Sequence, residues 1–134
     1  MSARAWDIMR ELPAIWDPVA GITSASVEIG YRDPASIHEA ELPRVLVYNP
    51  TTADPELGDF GLRVEEYGFA VLVVGRLGED EATLELSQRM AAAVNAAAFV
   101  AADRAWMSPG SIVVDSDRNR SKAVAILFAS WEGV

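Results

Sequence analysis

The segment DSDRNRS, residues 115–121, opens like a calcium-binding loop, with oxygen-bearing side chains at alternate positions Asp115, Asp117 and Asn119. Such a loop needs glycine at its sixth position for a sharp turn and a bidentate glutamate at its twelfth, where this chain has Arg120 and Ile126. Arg118 and Arg120 also put positive charge among ligands meant for a dication, so the stretch reads as a hairpin turn held by local Asp and Asn hydrogen bonds. His38 is the only histidine and there is no cysteine, which removes thiolate zinc sites, disulfides and cysteine nucleophiles and leaves His38 without a metal-binding companion. No metal or cofactor is expected.

Phosphate and nucleophile chemistry lack their frameworks as well. The chain has no G-x-x-x-x-G-K-[ST], no G-x-G-x-x-G and no G-x-S-x-G. Paired acids exist at Glu65 and Glu66, and at Asp54, Glu56 and Asp59. Neighbouring acids on a strand point to opposite faces, however, and loop acids are solvated, so neither set forms an acid–base pair and no enzyme is expected. The formal net charge of −9 opposes a grip on nucleic acid, which needs a basic surface to release counterions. It suits a soluble surface, or a passage that must not hold DNA. With no run of about 18 apolar residues and no apolar N-terminal segment, the expectation is a soluble protein without a signal peptide or membrane span.

The elements that must position any functional residue follow from periodicity. At 134 residues and 51% apolar composition the chain is expected to form one self-folding domain, 1–134. A first helix starts near Ser2, and Pro13 is expected to end or kink it. ITSASVEIGY alternates as an outer or edge strand. In the strand from Arg44, Val45 and Val47 oppose Arg44, Leu46 and Tyr48, with Pro43 and Pro50 limiting its pairing. TTADPELGDFG reads as a long loop, where contact residues are often carried. LRVEEYGFAVLVV is a central strand apolar on both faces. A second helix, capped by Asp80, carries a stripe of Leu84, Ala91, Val94 and Ala98. SIVVD, SDRNR and SKAVAILFASW form a closing hairpin with a projecting tip. Val71, Val73, Val124 and Ile126 are expected in the core. This order predicts α+β: a mixed, largely antiparallel sheet of four to five strands with two main helices packed on it.

The stretch EAELPRVLVYNPTT, an acidic lead into a proline and a Val-rich strand ending in tyrosine, is similar to the corresponding segment of phage tail terminator proteins, the family that includes minor tail protein U. The order of helix, loop, long strand, second helix and terminal hairpin resembles that family over nearly the whole chain. The resemblance implies a structural protein of the virion tail, present in host cytoplasm during assembly, that forms a homo-hexameric ring on the finished tail tube. Its implied partners are itself, the tail tube protein and the head–tail connector or stopper protein, with DNA passing through the lumen without specific binding. Alternatives are a head-completion or stopper protein of the same size class, and a stand-alone αβ binding module. Leu57, Asp59 and Phe60 in the long loop, and Asp117, Arg118 and Arg120 at the hairpin tip, are the expected protein contacts.

Overall fold

Tyr67 to Val74 is apolar at nearly every position, and the computed structural model, which describes residues 3–19, 21–52, 56–57, 63–113 and 119–133, puts that run at the centre of a sheet. In chain order the elements are α1 (Ala3–Trp16), β1 (Val27–Ile29), β2 (Arg44–Thr52), β3 (Glu56–Leu57), β4 (Arg63–Arg76), α2 (Asp80–Ala96), β5 (Arg104–Met107), β6 (Ser111–Ile112) and β7 (Arg120–Gly133). The main sheet path is β1-β2-β4-β7-β5, with two-residue β3 added to β4 and β6 added to β7. Only the β1–β2 pairing is parallel among the described strands. The α+β expectation of a mixed, largely antiparallel sheet with two helices on it is met; the estimate of four to five strands covers the five of the main path, and the two-residue β3 and β6 bring the sheet to seven among the described residues.

Both helices lie on one face of the sheet. There Val45 and Val47 of β2, Phe69, Val71 and Val73 of β4, and Ala123, Ala125, Leu127 and Ala129 of β7 pack against Ile8, Leu12 and Trp16 of α1 and Met90, Ala91 and Val94 of α2. Small residues on β7 are what let α2 approach. At Gly75 a Cβ would stand 2.3 Å from the Thr83 hydroxyl, and at Gly110 one would stand 2.1 Å from that of Ser87, so these glycines are required by contact with α2.

Several local expectations are corrected. α1 does not end at Pro13 but runs through it to Trp16. A proline inside a helix costs about 3 kcal/mol. Burying a tryptophan removes about 150–250 Å² from water, worth roughly 4–6 kcal/mol. Trp16 is fully buried and its indole N–H donates to the Met90 carbonyl at 3.2 Å, so tertiary packing outweighs the proline. Ser2 lies outside the described residues. The first strand shrinks to Val27–Ile29 because the Thr23 N–H and hydroxyl bond locally to the Ser26 hydroxyl (3.4 and 3.2 Å), which turns Ser24–Ser26 into a 3₁₀ helix. It is nonetheless an edge strand, as expected.

β2 passes Pro50 and reaches Thr52 by means of a register shift between Tyr48 and Thr51, with Asn49 at φ 53°. A bulge is where a strand can accept a residue that donates no hydrogen bond. Within the segment read as a long loop, Glu56 and Leu57 pair with Val64 and Arg63. The N-cap of α2 is Glu79, and Asp80 instead accepts a bond from the Ser121 hydroxyl at 2.6 Å. The buried stripe of α2 comprises Thr83, Leu86, Ser87, Met90, Ala91 and Val94; Leu84 is half-buried, and Ala98 is exposed beyond the helix end.

Candidate partner-binding surface

The two faces of β7 carry residues of different size, and the smaller set is inside. Ala123, Ala125, Leu127 and Ala129 face the helices, whereas Ile126 is 47% and Phe128 39% exposed on the outer face. Expecting Ile126 in the core is therefore wrong by one residue of phase, and Val124 is only half-buried. Val71 and Val73 are fully buried, as expected.

Part of this outer face is covered by the chain itself. A strap of residues 31–43, with short 3₁₀ turns at Pro34–Ser36 and Glu39–Glu41, lays Ile37 and Leu42 against Leu46, Leu72 and Val74. Tyr31 meets Tyr48 edge-on at 5.1 Å. Polar contacts hold the strap down. Arg44 donates to Glu28 at 2.6 and 2.9 Å, and Arg32 bridges Glu28 and Glu41 at 3.1 and 3.3 Å. The His38 backbone N–H donates to Glu41 at 3.1 Å, and this bond, with Arg32 and Arg44 nearby, holds the Glu41 carboxyl below its ordinary range. Burial, reinforced by Tyr31, pushes the Tyr48 phenol up.

Beyond the strap the same face is bare among the described residues. Register places Gly68 opposite Phe128, Ala70 opposite Ile126, and Trp106 of β5 on the other side of Phe128. Trp106 is 53% exposed and stacks on Phe128 with ring centroids 4.6 Å apart. A concavity of about 400 Å³ lies beside this pair, lined by Trp106 and Phe128 and rimmed by Glu66, Arg104 and Ser130. Contiguous exposed apolar surface with a polar rim is the signature of a protein-contact site.

The acid pair divides as strand geometry requires. Glu65 accepts from the Tyr67 hydroxyl and lies 3.3 Å from Arg4, whose guanidinium stacks over Trp131 at 3.7 Å, while Glu66 is exposed on the outer face. Among the described residues no group of three or more His, Asp or Glu side chains could hold a metal ion. The described helices include none long and apolar enough to cross a membrane.

Of the expected contact residues, Asp59, Phe60, Asp117 and Arg118 lie outside the described residues. Leu57 is in β3, paired with Arg63. Arg120, expected to be accessible, is half-buried at the start of β7 and donates to the Ile37 carbonyl of the strap at 2.6 Å and to the Asn119 carbonyl at 2.7 Å. The sequence reading missed Trp106 and Phe128. Their signal is a cross-strand aromatic pair, which can be recognised only once β5 is known to be a strand.

No protein-family model matches the chain. No curated protein matches it in sequence. In fold it is similar to a chain of the solved structure "Virion of native gene transfer agent (GTA) particle", with a TM-score of 0.73 over 99% of this chain and 100% of that one, at 11% identity. The likeness is one of fold.

Proposed function

We propose that this protein is a structural, non-enzymatic component of a virion or virion-like particle, and that it acts as a tail terminator: a homo-hexameric ring that caps the completed tail tube and offers its other surface to the head–tail connector or stopper protein. The observation that carries the reading is the end-to-end similarity of the fold to a chain of a gene transfer agent virion. The sequence resemblance to tail terminators supports the finer role. An acidic chain, −9 overall, fits a lumen through which DNA passes without adhering. On the bare outer face Ile126 offers an apolar contact for tube protein, and Leu57, Asp59, Phe60, Asp117, Arg118 and Arg120 are further proposed contacts of the chain.

Electron microscopy of the purified protein mixed with tail tubes tests this. Rings seated on tube ends, and tubes held at uniform length, are expected. Tubes that keep growing and carry no ring would remove the reading.

A further inference from the structure

The two sides of the sheet carry complementary features that one copy cannot bring together. Trp106 stands on β5, the edge strand at one side, half-exposed and stiffened by its stack on Phe128. At the other side β1 stops at Ile29, so β2 beyond Val47 has no β1 partner. There a concavity of about 420 Å³ opens between α1 and β2, lined by Trp6, Met9, Tyr31, Val47, Tyr48 and Pro50. Its walls are apolar and partly exposed, with Trp6 at 37% and Tyr31 at 63%. An apolar cavity of about 150 Å³ already accommodates a benzene ring, so this one has room for an indole.

β2 and β5 are separated by β4 and β7, which at about 4.8 Å per strand puts the indole and the concavity roughly 14 Å apart or more, on opposite flanks. We infer that Trp106 of one copy seats in the Trp6–Tyr31–Tyr48 concavity of a second copy. Charge favours the same pairing. Arg104, two residues from Trp106 and on the same face, is exposed with no ion pair among the described residues. Two residues from Tyr31, Asp33 is exposed and its carboxylate caps the Ala35 N–H at 3.0 Å, while Arg10, whose guanidinium lies 5.9 Å over the Trp6 ring, is paired with Asp7 at 3.6 Å. Because knob and hole are different surfaces, the contact is heterologous: each copy keeps one free knob and one free hole, and the series closes into a ring when the rotation between copies returns to the first one, as a terminator ring requires. The contact rests on the terminator reading only for that closure; the association itself stands on the knob and the hole.

Native mass spectrometry of complementary variants decides the point. Trp106→Ala removes the knob and leaves the hole. Trp6→Lys with Tyr31→Lys spoils the hole, repels Arg104 and leaves the knob; Tyr31→Lys alone, at the more exposed residue, serves if the double change lowers the melting curve. The parent should form oligomers, each variant alone should run at the 14.5 kDa chain mass, and an equimolar mixture should give a species of twice that mass and nothing larger. A monomeric parent, a variant that keeps the parent's distribution, or a mixture that stays monomeric would each overturn the inference. Failure of the terminator reading has a different mark: the mixed dimer forms, but the parent caps no tail tubes.

Discussion

The outer face of the sheet has a strapped half, centred on β2 and β4, and a bare half, on β4, β7 and β5. Under the strap, Leu46 is fully buried and Leu72 nearly so, sealed by Ile37 and Leu42. Further along β4 and β7, Gly68 and Ala70 lie beside half-exposed Ile126 and Phe128, with Trp106 adjoining. Apolar residues in the first half stabilise the fold. Those in the second do so weakly and are available to a partner.

The most severe test of that contrast places one substitution in each half. Leu46→Asp buries an unpaired charge and should abolish the cooperative melt, a loss of about 4–5 kcal/mol or more. Ile126→Asp should leave the melting curve close to the parent's, because its side chain can hydrate. Circular dichroism melts of the two variants compare them directly, and equal destabilisation would erase the distinction. Next in size, Ile37→Ala should cost about 2–5 kcal/mol through the cavity left beneath the strap. Chemical denaturation measures it, and a cost below about 1 kcal/mol would mean that the strap is not packed as described.

Arg120→Ala removes the bond from a charged donor to the Ile37 carbonyl and should cost about 1.5–3 kcal/mol, with faster amide exchange concentrated in the strap. Exchange spread evenly over the sheet would contradict the tether. The smallest effect is one of pH. Glu41 has its carboxyl held below the ordinary value of 4.5, so its contribution is present above that value and fades as pH falls through its lower folded-state value. Hydrogen exchange should therefore show the strap loosening in acid before the bare half changes. If Glu41→Gln leaves that acid sensitivity intact, another group is responsible.

The sequence disclosed whatever depends on long, two-sided patterns. β4 is legible because apolar residues occupy both faces from Tyr67 to Val74, and that run fixes the centre of the sheet. α1 beyond Pro13 is not legible, since what holds it there is the distant contact of Trp16 with Met90. β5 is four residues long, too short for a period to register, and with it went Trp106. The phase of β7 is not legible because bulk suggests that Val124 and Ile126 face inward, whereas α2 requires alanines beneath it. Most of the proposed contact surface was hidden for that one reason.

The most direct test of the central claim is the length of tail tubes assembled with the parent protein and with Ile126→Lys, measured by electron microscopy beside thermal melts of both. The account predicts the parent's melting curve for the variant, ring caps with the parent, and uncapped, overlong tubes with Ile126→Lys. A well-folded Ile126→Lys protein that caps tubes at the parent's length would contradict it.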